Sequence, residues 1–168
     1  MITSNIHLGK NVQIEIDSNV NNIIIGNNTR IANRVKIFGS EANLLEIGQN
    51  SYVGLNSFIE GFNSKVIIGD YVSIASNVSI ISGSGPNASP PMQKVFGNAQ
   101  GTIIIGNHTW IGGNSIIMPG VTLGNYCVVA AGSYVNKSFP DYSIVGGTPA
   151  KLIRTLTPSE IEILHAND

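Results

Sequence analysis

Few side chains in this 168-residue chain can move a proton or bind a metal near neutral pH. There are three histidines, His7, His108 and His165, and a single cysteine, Cys127. One cysteine excludes an internal disulfide and any cysteine-based metal cluster, and it fits a reducing, cytoplasmic setting. A zinc site of the three-histidine kind must gather its ligands around one ion. These three are scattered from near the start of the chain to near its end, so no metal is expected. An imidazole can serve as a general base at neutral pH without special tuning. Whether any of the three does so depends on what positions it.

The positioning pattern is clearest from Thr102 to Val135, TIIIGNHTWIGGNSIIMPGVTLGNYCVVAAGSYV. There an aliphatic residue returns every six positions, at Ile105, Ile111, Ile117, Leu123, Val129 and Val135. The same period runs through Leu8, Ile14 and Val20; Ile25, Ile31 and Ile37; Ile47, Val53 and Ile59; and Ile68, Ile74 and Ile80. Six is neither a helical period nor the alternation of an ordinary strand. Grouped in threes, the hexapeptides give six units of about eighteen residues, and Gly9, Gly26, Gly48, Gly69, Gly106 and Gly124 each follow the first aliphatic of their unit. The equivalent residue on the next side is Glu15, Ala32, Gly54, Ala75, Gly112 or Ala130, small in five of six cases. A three-sided coil accounts for this: short strands joined by tight corners and stacked at the usual ~4.8 Å. Nineteen glycines and twenty asparagines supply residues that tolerate corner geometry. Asn11, Asn28, Asn50, Asn56, Asn77 and Asn114 all take the fourth place of a hexapeptide, where a left-handed corner residue belongs. Repeats of this kind signal a parallel β-helix. A β-sandwich would instead alternate in twos with variable spacing.

Breaks in the period locate what leaves the coil. Short insertions fall near residues 38–46 and 60–67, and a long one, residues 82–101, reads as an irregular projecting loop. The expected organisation is therefore a β-helix domain over residues 1–156 carrying that loop, with a short C-terminal helix over 157–168. Thr157, Pro158 and Glu160 form a capping-box start for the helix, and Ile161 and Leu164 offer an apolar face to close the open end of the solenoid.

The sixth residue of each hexapeptide should point outward. One such column reads Gln13, Arg30, Tyr52, Ser73, Trp110 and Val128, and the next reads Asn19, Lys36, Phe58, Ser79, Ile116 and Tyr134. Exposed apolar groups in the later coils point to a homo-oligomer, with a trimer suited to a three-sided prism. Charged residues make up 11% of the chain and the formal net charge is −1, which gives no electrostatic case for nucleic acid or an acidic membrane. No apolar run approaches the ~18 residues of a membrane span, and the N-terminus carries no targeting pattern. A soluble protein is expected.

The repeat, the loop, the segment IGNHTWIGGNSIIMPGVTLGNYCVVAAGSYV and the tail YSIVGGTPAKLIR together resemble the hexapeptide-repeat acyltransferases. Within these, the chain is similar to the O-acetyltransferases of sugars, polysaccharides and xenobiotics. The resemblance implies an all-β, left-handed parallel β-helix of about six triangular coils, assembled as a homotrimer with sites between subunits. It implies transfer of an acetyl group from acetyl-CoA to a hydroxyl or amine of a sugar or other small polar acceptor. By position, Trp110 would lie beside the pantetheine arm or the acceptor. Gly112, Gly113, Ala130 and Ala131 would let the thioester approach the backbone, with corner packing as the alternative reason for their size. Lys151 and Arg154 would meet the nucleotide phosphates. Family members commonly carry the base as a histidine in or just before the loop, where this chain has ISGSGPNASPP and none. His108 is the substitute candidate, set against an ordinary exposed turn residue. A non-catalytic relative retaining the scaffold and CoA binding is the alternative reading.

Overall fold

The computed structural model describes residues 4–166. Three parallel sheets form the walls of a triangular solenoid. The first wall stacks strands Ile6–Leu8, Ile23–Ile25, Leu45–Ile47, Val66–Ile68, Ile103–Ile105 and Thr122–Leu123. The second stacks Gln13–Ile14, Arg30–Ile31, Tyr52–Val53, Ser73–Ile74, Trp110–Ile111, Val128–Val129 and Ser143–Gly147. The third runs from Asn19–Asn21 through Lys36–Phe38, Phe58–Glu60, Ser79–Ile81 and Ile116–Ile117 to Tyr134–Val135. Six coils are complete, as the hexapeptide phase requires. The two short insertions become surface turns between Phe38 and Leu45 and between Glu60 and Val66.

Sixteen of the eighteen periodic aliphatic residues are buried, Val20 to Val135 without exception. Leu8 is 50% exposed and Ile14 is half-buried, because among the described residues no coil lies beneath the first to cover them. A second inward position, two residues before each periodic one, completes the core. On the first wall it is apolar, as in Ile23, Leu45, Val66 and Ile103. On the other two it is often a hydroxyl that ties one coil to the next. Thr109 Oγ1, for example, donates to the carbonyl of Gly124 at 2.9 Å and accepts the Cys127 N–H at 3.3 Å. The desolvation cost of such buried hydroxyls is offset, since among the described residues no buried side-chain oxygen or nitrogen lacks a hydrogen-bond partner.

The six asparagines expected at corners all have positive φ, between 53° and 60°. Asn11 Nδ2 donates to Asn28 Oδ1, and Asn28 Nδ2 to Asn50 Oδ1, each at 3.1 Å, so the corner side chains form a ladder up the coil.

The solenoid extends beyond the sixth coil. Phe139 bridges in parallel to Leu123, and Val145, six residues on, stacks above Val129. Both are buried. The chain then reverses, and Ala150–Thr155 pairs antiparallel with Ser143–Gly147. Phe139 follows Val135 by four residues instead of six, and this break in phase, with Phe in place of an aliphatic residue, hid the seventh, partial coil from the period.

The projecting segment is not irregular. It contains an antiparallel ribbon, Gly83–Ser84 against Ala99–Gln100, and a helix α1, Pro90–Phe96. Its Gly and Pro residues serve the turns and the helix start. At the other end, helix α2, Pro158–His165, carries the expected capping box: the Thr157 side chain accepts the Glu160 N–H, and Glu160 Oε2 accepts the Thr157 N–H at 2.7 Å. No residue of α2 is buried, and Ile163 is 72% exposed.

Candidate functional site

The second wall gathers most of the residues singled out in the sequence. Parallel register lines up Ser73, Trp110, Val128 and Ile144, and the antiparallel final strand continues the line to Arg154. Trp110 projects outward and is 56% exposed. Two residues further along its coil, at the corner leading to the third wall, lie Gly112 and Gly113. Ala130 and Ala131 occupy the same corner one coil up, joined to it by the Gly112 N–H to Val129 O bond, and the Ala130 N–H in turn donates to Val145 O in the strand above, both at 2.8 Å.

The two glycines of this corner are confined to different degrees. A Cβ on Gly112 would lie 2.5 Å from the backbone nitrogen of Ala131, so the coils could not stack there with any side chain. Corner packing alone accounts for Gly112. Gly113 is less confined, its nearest obstacle being Ser76 O at 3.1 Å. The N–H groups of Gly113 and Ala131 donate to no protein acceptor among the described residues. The corner beside Trp110 is thus a low ridge with unused backbone donors, suited to receiving a carbonyl or amide oxygen.

Two cations stand above this ridge on the final strand. Lys151 pairs with Gly146 in the strand register, is exposed, and makes none of the ion pairs found among the described residues. Arg154 is engaged: its Nη1 and Nη2 donate to Glu160 Oε2 and Oε1 at 2.7 and 2.8 Å. The hydrogen bond from Arg154, reinforced by those from Thr157, holds the Glu160 carboxyl down to about 2.

His108 sits at the opposite corner of the same wall, two residues before Trp110, or ~7 Å along an extended strand. Its backbone is left-handed, φ 58°. Its ring stacks between Tyr71 and Tyr126, with centroids 4.8 and 4.6 Å away and planes within 4° of parallel. Tyr142 extends the stack, and His165 of α2 meets the rings of Tyr126 and Tyr142 edge-on, its Nε2 3.1 Å from the Tyr142 hydroxyl. The three tyrosines were not foreseen as a unit, although each holds the same fourth place in its hexapeptide as Asn11, Asn28 and Asn50. The corner changes from an amide ladder to an aromatic one as the chain ascends. Left-handed backbone costs a non-glycine residue roughly 1–2 kcal/mol, and each stacked contact returns about 0.5–1.5 kcal/mol.

His7 lies on the first wall in the first coil, remote from all of this. Among the described residues no three histidine, cysteine or carboxylate side chains cluster to hold a metal. Burial pushes the Cys127 thiol up, away from the reactive thiolate. No helix among the described residues is long and apolar enough to cross a membrane.

Comparison with known proteins agrees with this geometry. Residues 102–137 match the bacterial transferase hexapeptide family (six repeats), and residues 45–82 match the hexapeptide repeat of succinyl-transferase. The chain is 36% identical over 120 residues to galactoside O-acetyltransferase of Escherichia coli K12, covering 71% of this chain and 58% of that protein. It is 33% identical over 131 residues to a probable macrolide acetyltransferase of Lysinibacillus sphaericus, covering 67% and 73% respectively. Among solved structures, AntD, an N-acyltransferase from Bacillus cereus in complex with dTDP and 3-hydroxybutyryl-CoA, superposes with a TM-score of 0.81 at 26% identity. That match covers 95% of this chain and 87% of AntD. The chain spans 56–61% of the length of the first curated relatives it matches. With the repeat, the corner chemistry and these likenesses in agreement, the chain belongs to the hexapeptide-repeat acyltransferase family.

Proposed function

We propose that this chain transfers an acetyl group from acetyl-CoA to a hydroxyl, or an amine, of a sugar or other small polar acceptor. The observation that carries the reading is the grouping on one wall of exposed Trp110, the low ridge Gly112–Gly113 and Ala130–Ala131, and the cations Lys151 and Arg154. That wall brings together an apolar platform, unused backbone donors and positive charge, the three kinds of contact that the pantetheine arm, the thioester carbonyl and the nucleotide phosphates of acetyl-CoA call for. Relatives include galactoside O-acetyltransferase, and AntD is an N-acyltransferase solved with an acyl-CoA, which supports the same class of donor.

In this reading the acceptor oxygen attacks the thioester carbonyl carbon while His108 takes its proton. Because His108 stands at the corner opposite the ridge, the Gly113 and Ala131 N–H groups that receive the oxyanion belong to the neighbouring copy across the subunit boundary, and collapse of the oxyanion breaks the C–S bond. The departing thiolate takes the proton back from His108, leaving free CoA and the acetyl ester. Lys151 is the primary phosphate contact, since Arg154 is already held by Glu160. The exposed Tyr52, Phe58, Trp110 and Ile116, with Met92, Val95 and Phe96 of α1, are covered by further copies of the chain in a homotrimer. The setting is cytoplasmic, where acetyl-CoA is at hand and a free cysteine survives.

Two observations favour a second reading. Both faces of His108 are covered by tyrosine, and the loop has no histidine, as in a non-catalytic scaffold that retains CoA binding. A thiol-release assay with acetyl-CoA and a panel of neutral and amino sugars separates the two. Acceptor-dependent CoA release supports transfer, and saturable CoA binding without release supports the scaffold.

A further inference from the structure

The corner that carries the Gly112–Gly113 ridge continues down the solenoid as Asn114, Asn77, Asn56, Arg34 and Asp17, all with φ between 57° and 61°. Backbone bonds join its levels, from the Asn114 N–H to Ser76 O at 3.1 Å down to the Arg34 N–H to Ile16 O at 3.4 Å. In the lowest three coils this corner opens into a groove of about 470 Å³, lined by Asp17, Arg34, Lys36, Asn56, Ser57 and Phe58. That volume is within the range of small-ligand sites. Asn56 lies two coils below Asn114 and Arg34 three, which puts them ~10 and ~14 Å beneath the level of the ridge at the usual strand spacing.

The groove gathers positive charge that the rest of the chain leaves uncommitted. Arg34 stands at the corner and Lys36 two residues on, at the outward position of the third wall, in register with Phe58. Arg34 donates through Nε to Asn56 Oδ1 at 2.8 Å, which fixes the guanidinium and leaves both Nη groups open. Neither Arg34 nor Lys36 belongs to any ion pair among the described residues. Asp17 is the one carboxylate in the lining and it too is unpaired, so two cations face one anion in a chain whose formal net charge is −1. The Ser57 hydroxyl is spent on the coil, donating to Ala75 O at 3.1 Å and accepting the Val78 N–H at 3.2 Å. The Phe58 ring is held edge-on by Phe38, with centroids 6.4 Å apart.

We infer that this groove binds a phosphorylated sugar, its phosphate on Arg34 and Lys36 and its hydroxyls on Asp17 and Asn56. Arg34 presents a planar fork of donors and Lys36 a compact charge, and phosphate oxygens accept from both. Sugar hydroxyls that donate meet the Asp17 carboxylate, and those that accept meet Asn56 Nδ2. The homotrimer proposed above covers Phe58, which sets the groove on a boundary between copies. Lys151 stands above the ridge and the groove lies below it, so the phosphates of the donor and that of the sugar occupy opposite ends of one site. A sugar anchored by its phosphate extends upward past Asn77 towards the ridge. Its identity as the acetyl acceptor rests on the transferase reading, whereas the binding itself does not.

The test is a calorimetric titration of the full chain with glucose 1-phosphate and glucose 6-phosphate, against methyl glucopyranoside and inorganic phosphate. At least one sugar phosphate should bind saturably and more tightly than either comparison compound. Arg34→Gln and Lys36→Gln should each weaken that binding ~10-fold, and Lys10→Gln, at another corner of the first coil, should leave it unchanged. The Lys36 side chain makes no hydrogen bond among the described residues, so Lys36→Gln reads the groove even where Arg34→Gln disturbs the corner. Binding no tighter than that of methyl glucopyranoside or of phosphate, or binding unaffected by both variants, overturns the inference. Displacement of the sugar phosphate by CoA also overturns it, because the groove would then hold the donor. Saturable binding without any acetyl transfer supports the groove and counts against the transferase reading. Acetyl transfer to neutral sugars at a rate unchanged in both variants does the reverse.

Discussion

His108 is held by its neighbours more firmly than an ordinary turn residue. Two tyrosine rings fix its plane, and the residue stays exposed to solvent. That geometry suits an oriented base, and it equally suits a rung whose task is to hold the corner. If it is the base, His108→Ala lowers turnover by ~10² or more while CoA affinity is kept. Turnover unchanged in steady-state kinetics would assign the ring to the ladder alone. The imidazole itself was legible in the sequence; its stacking was not. Tyr71, Tyr126 and Tyr142 occupy the corner phase that asparagine fills lower down, and nothing in residue type alone announces that rings there lie one coil spacing apart and must stack.

The elements show where periodicity informs and where it stops. The period placed sixteen inward residues and both outward columns correctly, because each stacked coil must repeat its neighbour. It stopped at Val135 because Phe139 comes four residues later instead of six and is not aliphatic, although Val145 falls six residues beyond Phe139. The ribbon and α1 in the projecting segment lie outside any repeat and were read as irregular. Helix α2 was foreseen from its capping box, but not the extra duty of Glu160, which caps the helix and clamps Arg154 together. Since the Glu160 carboxyl is held below its unfolded value near 4.5, its contribution to the helix is present above that value. The contribution is lost as pH falls from about 4.5 towards about 2. Amide exchange over 157–166 should therefore quicken across that window, and Glu160→Gln should show the faster exchange already at neutral pH. Exchange independent of pH in the wild-type chain, once corrected for intrinsic rates, would mean the clamp does not hold the helix.

At the scale of the whole molecule, one solenoid leaves too much apolar surface uncovered. Tyr52, Phe58, Trp110 and Ile116 line two walls, and Val95 and Phe96 are about 70% exposed on α1. A second and third copy would cover these faces, so light scattering at micromolar concentration should give the mass of three chains. A stable monomer would leave the exposed columns without a structural purpose. The fold follows from repetition, which can be read along one chain. The acceptor and the assembled site depend on surfaces brought together across coils and copies, and so could be read only in part. The central claim, that the second wall receives the acetyl donor, is tested most directly by calorimetric titration of the purified protein with CoA. The account predicts saturable binding of one CoA per chain, and the absence of any binding heat up to millimolar CoA would contradict it.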